Sequence, residues 1–208
     1  MDALTRRKWD RAARAYDLVN GYGPERRWAP FKRRLFALMR GNVIFAAVGT
    51  GQDIQFFPPA RQITGIDISG RMLEAARPRA AAYPGTLALR QIDVRHLDYP
   101  DGAFDQAFTS CTFCSVPQPV AGLRELRRVL KPGGELHMFE HTGSRYLPFS
   151  LMLHLMTPLS RRFGPELNRD TVANVASAGF EVRAVEPVYL DVVKMIHAVA
   201  PAGHESAP

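Results

Sequence analysis

The feature that most constrains this chain is a repeated unit. A short apolar run ends on a glycine or an acid, and a helical stretch follows. VIFAAV (43–48) runs into Gly49-Thr50-Gly51, QITGID (62–67) closes on Asp67, and TLALRQID (86–93) closes on Asp93. AFDQAFTS (103–110) and ELHMFEH (135–141) read as two further strands, and EVRAVEPVY and DVVKMIHAV supply the last two. Between them, SGRMLEAARPRAAA (69–82), PVAGLRELRRVL (119–130) and DTVANVASAGF (170–180) carry helical periodicity. Ser69 is placed to cap the first helix, KPGG (131–134) to stop the second, and a glycine to close the third. Continuous apolar strands alternating with helices imply an α/β fold with a doubly wound, mostly parallel, seven-stranded sheet. Such sheets take ligands at the carboxyl ends of their strands.

Length and composition agree with one ordinary globular unit. The 208 residues are 46% apolar and 23% charged, so wholly disordered and collagen-like chains are excluded. No uncharged apolar run reaches the ~18–20 residues of a membrane span. The first residues lack a leader-like apolar stretch. Cys111 and Cys114 are too few for a disulfide framework, which makes a reducing, cytoplasmic setting the expectation.

Charge divides the chain. Residues 1–41 carry 11 basic and 4 acidic side chains, whereas residues 42–208 carry 16 of each. This arm reads as two basic amphipathic helices, separated by NGYGP (20–24), with the second beginning near Pro30. Trp9, Ala12, Ala13, Tyr16 and Val19 share one side of the first, and Arg7, Arg11 and Arg14 the other. In the second, Trp28, Phe31, Leu35 and Leu38 form a face edged by Lys32, Arg33, Arg34 and Arg40. The arm calls for an anionic partner or marks a solvated helix face. An anionic membrane surface is the favoured partner, which adds a peripheral position at the inner face of a membrane to the expected location. The body spans 42–200, and 201–208 reads as a flexible tail.

The strand ends carry the candidate chemistry. Glycines 49 and 51, flanking Thr50, let the backbone turn sharply and approach a ligand. Asp67 is placed to accept from both hydroxyls of a ribose, and Asp93 from an exocyclic adenine amine. Glu140 and His141, ending the fifth strand, and Tyr16 of the arm are the catalytic candidates. Cys111 and Cys114 lack the partner ligands of a structural metal site and read as pocket walls, so no metal is expected. The uncharged stretch Leu147–Leu159 is placed as an apolar lid, spanning about 146–166 with its flanks. Tyr146, Arg161 and Arg169 beside it are the substrate candidates, and Arg162 adds to the basic cluster suited to a phosphate headgroup.

With DYPDGAFD (98–105), LKPGG (130–134) and SAGF (177–180) in this order, the chain resembles the class I methyltransferases that use S-adenosylmethionine. KWDRAARAYDLVN (8–20) is similar to the start of the quinone-biosynthesis group, and 111–140 to thiol and bacterial phospholipid N-methyltransferases. The resemblance implies a Rossmann-like methyltransferase fold and S-adenosylmethionine as cofactor. It places Gly49 and Gly51 at the methionine part, Asp67 at the ribose, Asp93 at the adenine between Ile68 and Val94, and Thr109, Ser110 and Cys111 near the sulfonium. The family's turn reads acid-x-Gly-x-Gly-x-Gly, and here Phe45 replaces the acid and Ala47 the first glycine. Asp53 is the candidate replacement carboxylate, and Ala47 is tolerable there with a negative φ. The expected acceptor is small and partly apolar, a phospholipid headgroup amine first, with thiols, quinone precursors and other aromatics as alternatives. An RNA-binding methyltransferase and a nicotinamide-dependent oxidoreductase are the competing classes. The second lacks its G-x-G-x-x-G turn, and nucleic acid is disfavoured. The sequence leaves the oligomeric state open.

Overall fold

The computed structural model describes residues 2–20, 24–161 and 165–202, and for 19, 20 and 24–26 the backbone only. The expected break at 21–23, the Val19 side chain, Arg162 and most of the tail (203–208) lie outside the described residues.

One seven-stranded sheet organises the chain: β1 (Asn42–Ala46), β2 (Gln62–Asp67), β3 (Thr86–Gln91), β4 (Phe104–Ser110), β5 (Leu130–His141), β6 (Glu181–Tyr189) and β7 (Val193–Val199). Their spatial order is β3-β2-β1-β4-β5-β7-β6. The first five run parallel, and β7 is antiparallel to both β5 and β6. The order reverses between β1 and β4, which opens a crevice where their carboxyl ends diverge.

Period-two patterning buries both faces. Along β1, Val43 and Phe45 join a cluster with Leu35, Phe36 and Leu73, while Ile44 and Ala46 join Leu123, Leu126 and Val175 on the other face. The first cluster is roofed by α2 (Pro24–Phe36) and α3 (Gly70–Ala81), the second by α4 (Pro119–Val129) and α6 (Thr171–Ser177). Ser69 caps α3 by accepting from the Met72 N–H, and Asp170 caps α6 from Ala173. Between β5 and α6 lies α5 (Phe149–Ser160), inside the expected lid.

Three local expectations change. The second helix starts at Pro24, so Pro30 lies within it on an exposed position. Lys32, expected on the wet edge, is buried, and Leu38 falls beyond the helix end and is exposed. KPGG ends α4 but opens no free loop. It is absorbed into β5 as a bulge, where the register steps from Phe104↔Leu130 to Gln106↔Glu135. Gly133 supplies a positive φ of 75° there, and a Cβ on Gly134 would lie 2.8 Å from the Lys131 carbonyl.

The first helix, α1 (Ala3–Asn20), lies over the carboxyl edge of the sheet. Arg7, Arg11 and Arg14 are exposed, and Trp9 and Tyr16 turn inward. Two acids one heptad apart peg it down. Asp10 accepts from Ser69 Oγ (2.6 Å), and Asp17 accepts from Thr50 Oγ1 (2.5 Å), Gln52 Nε2 (2.9 Å) and Arg79 (2.8 Å). The arm is therefore part of the body, and α1 forms one wall of the crevice.

Candidate active site

The crevice holds about 720 Å³ of space, partly open to solvent, within the roughly 300–1,000 Å³ usual for small-ligand clefts. Its floor is the turn after β1. Gly49 has φ +57°, and no atom lies within 4 Å of where a Cβ would sit. The space above the backbone is therefore open to a ligand. Gly51 has φ +82°, and a Cβ there would meet Ile54 at 2.8 Å, so this glycine serves packing. Ala47 lines the crevice with φ +57°. The negative φ that would make alanine comfortable is not what the fold adopts, so this position carries the strain a glycine avoids. Phe45 turns away into an aromatic cluster, 5.7 Å from Phe36 and 5.2 Å from Phe57 between ring centres.

The ribose and adenine candidates stand at one side. Asp67 is buried and accepts from the Gly49 N–H (2.9 Å) on one oxygen and the Ser69 N–H (2.8 Å) on the other. Burial pushes its carboxyl up to about 6, against those two bonds. Asp93 sits two residues past the end of β3. Its carboxylate receives Arg95 through Nε (3.1 Å), a terminal nitrogen (2.8 Å) and the N–H (3.1 Å), and the Asp2 N–H at 3.2 Å. Burial opposes ionisation, but the Arg95 bonds prevail and hold it down to about 2. Between the two acids Ile68, Met72, Ile92 and Val94 form an apolar slot. Thr50 and Asp53 take no place in the lining. Thr50 holds Asp17, and Asp53 forms a buried ion pair with Lys32 at 2.7 Å, facing α2.

Across the crevice, Ser110 and Cys111 line the wall below Tyr16. Cys111 has φ +51°, and its N–H donates to the Phe139 carbonyl (2.7 Å). Thr109 is fully buried, and its hydroxyl donates to Glu140 at 2.7 Å. Glu140 lies beneath the wall, also fully buried, and accepts the Thr112 and Phe113 N–H groups at 3.1 Å each. Burial lifts it to about 7 despite these donors. His141 stands outside the lining, with a buried Nδ1 that has no hydrogen-bond partner among the described residues. Burial lowers its pKa and keeps the ring neutral. Tyr16 lines the crevice, and burial raises its phenol far above the ordinary value, so it stays protonated. Cys114 is buried and its thiol is pushed well up, which makes it inert packing.

Of the substrate candidates, Tyr146 is exposed and bonds Arg145 (2.8 Å). Arg161 and Arg169 border a second cavity. Arg169 is already committed, donating to the carbonyls of Phe113 (2.7 Å) and Val116 (2.5 Å) and pairing with Glu166 (2.8 Å). Glu135, His137 and His197 bring possible metal-ligating atoms within 4.8 Å of one another, but at one end of the β5–β7 pairing, where Arg40 and Gln106 already bond Glu135 at 2.7 Å. The sequence reading missed Asp10, Asp17 and Arg95. The heptad spacing of the two acids on an otherwise basic helix was the available signal.

An open glycine floor, two carboxylates and an apolar slot between them fit an adenosyl group with an amino-acid tail. A methyltransferase-domain family model matches residues 46–138. A ubiquinone/menaquinone biosynthesis C-methyltransferase of Geotalea daltonii is 31% identical over 70% of this chain and 66% of its own length. A phosphatidylethanolamine N-methyltransferase of Cereibacter sphaeroides is 35% identical over 49% of this chain and 51% of its own length. The chain thus spans from half to just under two thirds of these curated relatives. Among solved structures, a methyltransferase chain in complex with the Haloferax volcanii Trm112 methyltransferase activator superposes with a TM-score of 0.70, at 18% identity, over 97% of this chain and 99% of that one, which shows the fold. The matching domain model and the relatives support a class I S-adenosylmethionine-dependent methyltransferase. S-adenosylmethionine is the cofactor they imply, which sets the nicotinamide reading aside.

Proposed function

We propose that this chain transfers a methyl group from S-adenosylmethionine to a lipid acceptor, the headgroup amine of a phospholipid being the first choice. The carrying observation is α5. Leu151, Leu155 and Leu159 form an exposed stripe, each at least 56% exposed, with Met152 and Met156 beside it. Only Leu153 and Thr157 of this helix are buried. A helix this apolar and this exposed, with Arg145 before it and Arg161 after it, suits the plane of an anionic bilayer. Among the described residues no helix is long and apolar enough to cross a membrane. An interfacial position therefore rests on this stripe and the outward arginines of α1.

When bound, the cofactor supplies a methyl group already activated on a sulfonium. The protein then aligns the partners and keeps water out. Gly49 would cradle the amino-acid end, Asp67 the ribose, and Asp93 with Ile68 and Val94 the adenine. Thr5, Trp9 and Tyr16 close the crevice from above. Thr109 and Glu140 act by holding the wall from Ser110 to Phe113 in place. A headgroup amine arrives protonated and has to give up a proton before it attacks; His141, outside the crevice lining with its Nδ1 buried, is not placed to take it.

A quinone precursor is the second reading. Val116 and Pro117 give the acceptor side of the crevice an apolar edge that would suit a ring. Incubation with donor carrying a tritiated methyl group and total lipid, followed by chromatography, separates these. Label in phospholipid is expected, label in the quinone fraction favours the second reading, and label in water-soluble products alone overturns both.

A further inference from the structure

A second cavity shares Thr5, Trp9, Ser115 and Pro117 with the cofactor crevice and adds Lys8, Arg161, Glu166 and Arg169. Its charges do not cancel. Glu166 is the single carboxylate, and it is divided between Arg169 (2.8 Å) and Arg161 Nε (3.0 Å). Arg169 spends one terminal nitrogen on the carbonyls of Phe113 and Val116. Lys8 is different. It donates to the Arg161 carbonyl and makes no ion pair among the described residues. An ammonium has three donors, so two are left facing a partly enclosed space. Burial lowers the Lys8 pKa, against the attraction of Glu166, as expected of a cation short of solvent and of counter-charge. The cavity therefore holds three cations and one anion, and Lys8 and Arg161 are the cations with the fewest commitments.

We propose that this second cavity is a phosphate subsite, in which Lys8 and Arg161 receive the phosphate group of the methyl acceptor. Two facts of placement support it. The cavity adjoins the cofactor crevice across a common wall of Thr5, Trp9, Ser115 and Pro117, so a phosphate held here lies beside the crevice that would hold the methyl donor. Arg161 also directly follows α5, so a phosphate at its side chain lies at the end of the exposed leucine stripe, where an acyl chain has apolar cover. Charge-assisted bonds from an ammonium and a guanidinium are the strong kind. The assignment of the bound molecule as methyl acceptor rests on the proposed function, whereas phosphate binding itself does not.

The test is isothermal titration of the full chain with glycerophosphoethanolamine, inorganic phosphate and ethanolamine, alongside methylation of phosphatidylethanolamine vesicles. The phosphodiester should bind at least tenfold tighter than ethanolamine. Lys8→Gln and Arg161→Gln should each weaken it about tenfold, and Lys8→Arg should stay within about threefold. In the vesicle assay Lys8→Gln should raise KM far more than it lowers kcat. Arg161 is exposed at the end of a helix, so its variant serves should Lys8→Gln disturb α1. Unchanged phosphodiester binding in both Gln variants overturns the subsite, even with lipid methylation intact. Lys8-dependent binding without label in the vesicles leaves the subsite standing and removes the lipid reading. Inorganic phosphate binding as tightly as the diester also upholds the subsite, and assigns it to a soluble phosphate.

Discussion

The two halves of the crevice are built by different means. On the β1–β3 side the working groups are turns and acids at the ends of the strands that aim them: Gly49, Asp67 and Asp93 are all within two residues of a strand or its turn. On the β4–β5 side the wall from Thr109 to Phe113 is held from behind by Glu140, and its outer end by Arg169, from 27–31 and 53–56 residues away. The first side lines the crevice with its polar groups, and the second keeps Thr109 and Glu140 behind a wall whose surface they shape. A constant cofactor can be gripped by local chemistry, whereas an acceptor site needs a wall whose form can vary.

The harshest way to break this contrast is Glu140→Leu. It strands the Thr109 hydroxyl and the Thr112 and Phe113 N–H groups in the core. Chemical denaturation should show a loss of at least about 3 kcal/mol, at about 1 kcal/mol or more for each buried donor. Next, Gly49→Val puts a side chain into the open floor at φ +57°. Calorimetric donor affinity should drop about 100-fold, roughly 2.7 kcal/mol. On the acceptor side, Leu155→Glu should cut flotation with anionic vesicles about tenfold or more, since burying a leucine is worth about 1.5–3 kcal/mol. Donor binding by that variant should not move. The smallest effect is a gain: Ala47→Gly relieves the left-handed strain and should stabilise by about 0.5–1 kcal/mol.

Glu140 and Asp93 respond to pH in opposite senses, and Asp67, raised to about 6, follows Glu140. Glu140 in the folded chain titrates at about 7, above its ordinary 4.5. Its contribution to stability is full below pH 4.5 and is lost as pH rises through 7. Asp93 titrates at about 2, below its ordinary 3.8, so its contribution is present above pH 3.8 and lost as pH falls through 2. Glu140→Gln should flatten the decline in melting temperature between pH 4.5 and 7 and leave the acid limb untouched.

Most of the fold was legible because its signals are local. The apolar runs end where Gly49, Asp67 and Ser110 punctuate them, and Ser69 caps the helix it was assigned. Partners distant in sequence were not legible. That Asp53 turns to Lys32 depends on how α2 packs over the turn after β1. That Arg169 is spent on the carbonyls of Phe113 and Val116 depends on how the segment before α6 meets the wall after β4. Ala47 is a mixed case: its place in the turn was visible, and the sign of its φ was not. Asp93 was seen as a lone acid, and its Arg95 partner, two residues on, was readable only as a charge.

The central claim is that Asp67, fastened to the Gly49 turn, grips the adenosyl donor. Equilibrium dialysis with radiolabelled S-adenosylmethionine on the wild type and on Asp67→Ala tests it directly. We expect one donor per wild-type chain and affinity weakened about 100-fold in the variant, the cost of roughly two charge-assisted hydrogen bonds. Equal binding by the two proteins, or no saturable binding by the wild type, would contradict it.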